Sequence, residues 1–147
     1  MKQQTGFTLI ELIMVIVILG ILAATALPKF ADFSKNARLA TIKGAQGAIA
    51  SASAIAHSVQ QVGSLNAASP VTIEGNVLNM SNGYPTVASI QTAANLSGNN
   101  YILTTAGTVL TVSTSGIAVA GSCQVQYTEA TAASAPVITL TATQANC

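Results

Sequence analysis

Gly6-Phe7-Thr8-Leu9-Ile10-Glu11-Leu12 opens an apolar run that continues as Ile13-Met14-Val15-Ile16-Val17-Ile18-Leu19-Gly20-Ile21-Leu22-Ala23-Ala24-Thr25-Ala26-Leu27 and stops at Pro28. From Phe7 to Leu27 the run is 21 residues long, close to the roughly 20 that carry a helix across a bilayer. Residues 12–24 have no polar side chain, and Glu11 is the only charge in the run. A strand with open edges would leave its backbone groups unpaired in lipid, so the stretch reads as a helix. The six residues Met1-Lys2-Gln3-Gln4-Thr5-Gly6, mostly polar and with one basic group, Lys2, precede it.

Two fates for this segment follow from its residues. Ala24-Thr25-Ala26 offers a small-x-small site, so a secretory signal could be cut before Leu27. Glu11 fits that reading badly. A carboxylate at the membrane centre costs about 2.5–3.5 kcal/mol on insertion scales, and a disposable signal has no use for it. In a retained helix the carboxylate needs a positive partner. Cleavage after Gly6 would supply one, the new α-amine of Phe7, four residues from Glu11.

Outside the run the chain is nearly uncharged. Of 147 residues 6% are charged, with five Lys or Arg and four Asp or Glu; an ordinary soluble domain has about 25%. No basic field exists for nucleic acid, and a chain 50% hydrophobic is not a disordered one. Lys2, Lys29, Lys35, Arg38 and Lys43 all precede residue 44, and the remainder carries only Glu74, Glu129 and the single His57. With those groups no catalytic triad, paired-acid site or metal set is visible, and no cofactor is expected. Such a surface suits either close packing against copies of itself or a neutral extracellular exterior.

Pro28 removes a backbone donor and crowds the carbonyl of Ala24, so a kink or local melting is expected there, with Gly20 as a second weak point. Beyond it, Ile42, Ala45, Ile49, Ala52, Ala56 and Val59 form a stripe at helical spacing, opposite Lys35, Lys43, Gln46 and Ser53. The helix is therefore expected over 7–61, about 80 Å at 1.5 Å per residue, with 7–27 in the membrane or a filament core and the later stripe against a globular head. His57 is expected on a solvated helix face.

Residues 62–100 read as a connecting loop, with turn signals at Ser69-Pro70, Asn82-Gly83, Tyr84-Pro85 and Gly98-Asn99 and a short helix over 89–96. After residue 100 the period changes to two, with strand-like runs over 101–105, 108–113, 124–129 and 137–143 and a tight turn at Ala106-Gly107. The fold class is α+β, one long N-terminal helix packed on an antiparallel sheet of four or five strands over 101–147. Cys123 and Cys147 are too far apart for a redox pair and too few for a structural zinc site. A disulfide is the simple reading for an extracytoplasmic head, closing a C-terminal hairpin with its tip at 132–136. Alternation allows Tyr127 opposite Leu140 and Val125 opposite Ala142, which brings Cys147 back only if the last residues curl.

The stretch Gly6-Phe7-Thr8-Leu9-Ile10-Glu11-Leu12, followed by its apolar run, resembles the class III signal of type IV pilins and related pseudopilins. The resemblance implies a leader of residues 1–6, cut after Gly6 by a prepilin peptidase that also N-methylates Phe7. It implies that Glu11 pairs with a neighbouring subunit's amine and sets register in a helical homo-oligomer. It also implies that the helix can unwind between Gly20 and Pro28 in the filament. The order helix, connecting loop, sheet and disulfide loop resembles the type IVa pilin head. Cys123-Gln-Val-Gln-Tyr-Thr-Glu-Ala with Cys147 is similar to the mannose-sensitive haemagglutinin class, whose pili attach to surfaces and carbohydrates.

The expected role is thus a structural pilus subunit rather than an enzyme, handled by the pilus assembly machinery. It would start in the bacterial inner membrane with its head extracytoplasmic and finish in an extracellular filament. A minor pilin or type II secretion pseudopilin is the near alternative, and a secreted binding domain starting at Leu27 the distant one. The positive-inside rule alone would put the C-terminal part in the cytoplasm, since four of the five basic residues follow the run; the resemblance and the cysteine pair argue the opposite.

Overall fold

A computed structural model describes residues 6–96, 101–117 and 121–147. Lys2 and the turn expected at Gly98-Asn99 lie outside the described residues. In chain order the elements are α1 (Leu9–Val62), β1 (Val71–Ile73), β2 (Asn76–Leu78), β3 (Met80–Ser81), β4 (Tyr84–Pro85), α2 (Val87–Ala93), β5 (Ile102–Ala106), β6 (Val109–Ser113), β7 (Gln124–Thr128) and β8 (Val137–Thr141). This is the α+β order of a long helix followed by antiparallel sheets. The chain divides into two compact units, Met1–Ser34 and Lys35–Cys147.

In the first unit the described side chains of α1 form no buried core. Every large apolar side chain from Leu9 to Leu22 is exposed. The window of α1 that is apolar enough to cross a membrane has a mean hydropathy of 2.7 and none of it is buried. The helix continues through Gly20 and Pro28, so of the kink or local melting expected at Pro28 the single chain shows no melting. Proline removes one donor, while the turns on either side keep their own bonds. The Thr25 hydroxyl adds a local bond, donating to the carbonyl of Leu22 at 2.9 Å.

In the second unit α1 presents Ile42, Ala45, Ile49, Ala52 and Ala56 as a buried stripe. Ile42, Ala45, Ile49 and Ala52 share one core with Val87, Ile90, Leu110, Val112, Val125 and Tyr127, while Ala56 packs with Val71, Leu78 and Met80 in a second. Val59, the last residue expected in the stripe, is partly exposed instead. Ser53 and Gln60, in contrast, are buried. Gln60 lies inside because its side-chain amide donates to the carbonyls of Asn66 at 2.8 Å and Ser69 at 3.3 Å.

Four strands form one antiparallel meander in the order β5-β6-β7-β8. Tyr127 pairs with Ile138 and Val125 with Leu140, two residues from the expected register. An even shift keeps every side chain on its expected face. β8 begins at Val137 in either register, but Val137 pairs with Thr128 rather than Ala130, so the connection takes in 129–136 and is closed within itself by the Thr131–Ser134 bridge. The β5–β6 loop is Gly107-Thr108, one residue later than expected, because Ala106 still pairs with Val109 and Gly107 takes φ +59°.

The connecting segment is more ordered than a loop. Two short hairpins, β1–β2 and β3–β4, are each closed by two residues at positive φ, Glu74-Gly75 and Asn82-Gly83, the requirement of a type I′ turn. Tyr84-Pro85 is strand β4 rather than a turn. Their periodicity is invisible in strands this short. Helix α2 begins two residues earlier than expected because Thr86 caps it, accepting from the Ser89 N–H at 3.4 Å. It ends at Ala93 with Ala94 as its C-cap, and Asn95 beyond, at φ +50°, turns the chain away.

Candidate assembly segment and disulfide-closed hairpin

Gly6 and Phe7 precede the first residue of α1, so the bond between them lies outside helical hydrogen bonding, and the Phe7 side chain is 93% exposed. Thr8 and Glu11 close the helix start together. The Glu11 carboxylate accepts from the Thr8 N–H at 2.8 Å and from its hydroxyl at 2.7 Å, while the Glu11 N–H donates back to the Thr8 hydroxyl at 3.3 Å. This is a capping box, in which side chains satisfy amides that have no intrahelical acceptor. Sequence reasoning fastened on Glu11 and passed over Thr8, although Thr-x-x-Glu ahead of an apolar run is a legible signal.

Further along α1, in the second unit, a face without charge runs through Ala40, Gly44, Gly47, Ser51 and Ile55, all exposed. Among the described residues, no atom beyond the local helix lies within 4 Å of where a Cβ would stand on Gly44 or Gly47. The fold of the single chain therefore gives neither glycine a reason, though each weakens the helix by up to about 1 kcal/mol.

Cys123 and Cys147 form a disulfide, with Cα atoms 5.1 Å apart. Both cysteines are buried. Since Cys123 lies opposite Ala142 when the β7–β8 register is extended, the chain must turn back through 143–147. It does so with the Cys147 N–H donating to the Thr143 carbonyl at 3.0 Å. Arg38 secures the returned end: its Nε donates to the Cys147 carbonyl at 2.6 Å. The guanidinium also lies against Gly116, where a Cβ would approach it to 3.1 Å. No pattern in the sequence pointed to Arg38, because its partner is a backbone group 109 residues away.

At the other end of β7 the connecting segment is clamped to the sheet. The Tyr127 hydroxyl donates to the Pro85 carbonyl at 2.7 Å, the Val87 N–H donates to the Glu129 carboxylate at 2.6 Å, and the Asn82 amide donates to the Ala130 carbonyl at 2.9 Å. Burial pushes the Tyr127 hydroxyl up to about 12, a hydrogen bond with Ser53 pulls it back in part, and Glu129 and Tyr84 add to the rise. This also explains why Ser53 is inside. His57, expected in solvent, stacks on Tyr84 with ring centroids 4.0 Å apart. Its Nδ1 is 2.6 Å from the Gly83 carbonyl, which can only accept, so Nδ1 carries the proton. The Gln61 amide then donates to Nε2 at 2.6 Å.

Residues 1–27 match the family described as the prokaryotic N-terminal methylation motif. Over 54 residues the chain is 50% identical to the type IV narrow pilus major component of Thermus thermophilus, covering 37% of this chain and 47% of that one. It is 49% identical over 51 residues to the type II secretion system core protein G of Pseudomonas aeruginosa, covering 35% and 36%. Over 44 residues it is 50% identical to a type IV major alpha-pilin of Moraxella bovis, covering 30% and 28%. The chain thus spans less than half the length of the curated relatives it matches. No solved structure matches. The matched residues include the capping box and the exposed apolar helix, so the likeness rests on the same segment that the geometry singles out: this chain carries, in its first 27 residues, the N-terminal methylation motif of the type IV pilins and their pseudopilin relatives.

Proposed function

We propose that this chain is a structural subunit of a type IV pilus, made as a membrane-anchored precursor and polymerised into an extracellular filament, with no catalysis of its own. The observation that carries the proposal is the fully exposed apolar helix that follows a methylation motif and contains one carboxylate at its start. A helix with no internal core partner is stable only in lipid or against other helices, and the two states of such a subunit supply one each.

In this reading prepilin peptidase cuts after Gly6 and methylates Phe7. The bond's position ahead of α1 supports access. The new Phe7 ammonium then emerges one residue from the Thr8 N–H that holds Glu11. On assembly the carboxylate accepts from a neighbouring subunit's amine, and a misplaced neighbour leaves a charge unpaired, which sets axial register. Gly20 and Pro28 are where α1 can lengthen or unwind within the filament. Attachment to a surface or carbohydrate would belong to the exposed C-terminal unit. The pseudopilin reading is favoured by the identity to core protein G over the N-terminal segment, and the disulfide-closed hairpin supports the pilin reading over it.

The test is intact mass and N-terminal sequencing of protein sheared from cells. A chain starting at methylated Phe7 and gaining two hydrogens on reduction is expected. A chain starting at Leu27 would lack Glu11 and the apolar helix and would overturn the proposal.

A further inference from the structure

Asn82-Gly83 is the one Asn-Gly pair in the chain. Asparagine is chemically labile, and most so before glycine, whose missing Cβ leaves its nitrogen free to reach the preceding side-chain amide. The fold nevertheless needs both residues. Asn82 takes φ +52° and Gly83 φ +87°, the left-handed region that these two residue types enter most readily. A Cβ on Gly83 would also stand 3.3 Å from Gln60 Oε1 and 3.5 Å from the His57 ring. The Asn82 amide is the donor that ties the β3–β4 turn to the Ala130 carbonyl. A labile pair is thus built into the clamp between the connecting segment and the sheet. The same geometry keeps the reacting atoms apart. In a type I′ turn the first central residue has ψ of about +30°, which sets the Gly83 nitrogen across Cα from the Asn82 side chain. The Gly83 N–H donates to the Ala67 carbonyl at 2.8 Å, and its carbonyl accepts from His57 Nδ1 at 2.6 Å. With the bond to Ala130, partners on three separate segments pin the turn.

We infer that Asn82 is a deamidation site gated by the β3–β4 hairpin, intact while the hairpin is docked and converted when it lifts. In the lifted turn the Gly83 nitrogen gives up its proton and bonds to Asn82 Cγ. The Cγ–Nδ2 bond breaks, and the amide leaves as ammonia with that proton. Water then opens the five-membered imide at either carbonyl, leaving aspartate or isoaspartate at position 82. Neither product can re-form the clamp. A carboxylate brings a second acceptor to the Ala130 carbonyl, and isoaspartate lengthens the backbone of a two-residue turn. Conversion therefore runs one way, at a rate set by how often this part of the connecting segment opens.

The test incubates the full chain at mildly alkaline pH, either folded in detergent micelles or unfolded in urea with its disulfide reduced. Conversion of the peptide that contains Asn82 is followed by mass. The folded chain should convert at least roughly tenfold more slowly than the unfolded one. His57→Phe keeps a ring against Tyr84 but removes the donor to the Gly83 carbonyl. It should speed conversion in the folded chain roughly three- to tenfold and leave the rate in urea unchanged. Amide exchange at Gly83 should rise by the same factor. Asn82→Asp, which carries the product's carboxylate, should melt below the parent. Equal rates in the folded and unfolded chain overturn the inference. So does a folded rate indifferent to His57→Phe, or an Asn82→Asp variant that melts with the parent.

Discussion

Among single residues, Tyr127 and Thr8 make the sharpest claims. Tyr127 must keep its proton to donate to the Pro85 carbonyl, and its hydroxyl is pushed up to about 12 by burial. A folded-state value raised above the ordinary one near 10 means that its contribution is intact below pH 10 and lost as pH climbs through about 12. Urea melts of the full chain should therefore show little change from this group up to pH 10. Between 10 and 12 they should lose up to roughly 2–3 kcal/mol. Tyr127→Phe should remove that step and cost about 1–2 kcal/mol at neutral pH, because the Pro85 carbonyl is left unpaired; melts with identical alkaline slopes for both proteins would refute the assignment. Thr8 acts through the helix start. Thr8→Val keeps the shape but loses both hydroxyl bonds to Glu11, and should weaken the first turn of α1 by about 1 kcal/mol, seen as faster amide exchange over residues 9–12 with exchange from 42 to 56 unchanged.

For whole elements, the C-terminal hairpin is the part that covalent chemistry stabilises. Cys123 and Cys147 are 24 residues apart, so replacing both with Ser should cost roughly 3 kcal/mol in denaturant melts. Arg38→Met, which keeps the stem but not the Nε–H, should cost about 1.5–3 kcal/mol in the same assay, the net value of a bond from a charged donor. A loss well beyond that would mean that Arg38 supports the Gly116 turn as well. These elements also show what was legible. The four strands, and the faces of the last two, follow from alternation that can be counted over residues 101–147. The register did not, because a two-residue slip preserves every face, so alternation cannot choose between the two. The hairpins of the connecting segment escaped because two- and three-residue strands carry no period. His57 and Arg38 escaped for another reason: their partners are backbone carbonyls far along the chain, and backbone leaves no letter in a sequence. Glu11 was legible because a lone charge in an apolar helix is costly wherever it is found.

At the scale of the whole molecule, composition and assembly meet on α1. A chain with 6% charged residues places its basic groups before residue 44 and leaves the rest almost neutral, so copies can approach without repulsion. The uncharged face through Gly44 and Gly47 carries a stability cost in the single chain. No atom beyond the local helix requires either glycine, yet Ala would hold the helix better by about 0.5–1 kcal/mol at each position. The two demands then pull in opposite directions. Gly44→Ala with Gly47→Ala should raise the melting midpoint of the full chain, as two good helix formers replace two poor ones. Gly44→Leu with Gly47→Leu should also keep the fold, since among the described residues a Cβ at either position meets no atom beyond the local helix, but should bar a neighbouring helix and strongly reduce sheared filament. If the leucine pair melts normally and still assembles at parental yield, this face is not where helices of neighbouring subunits meet. If it fails to fold, the space around the two glycines is filled within the single chain after all, and the stability series decides between the two results before any filament is counted.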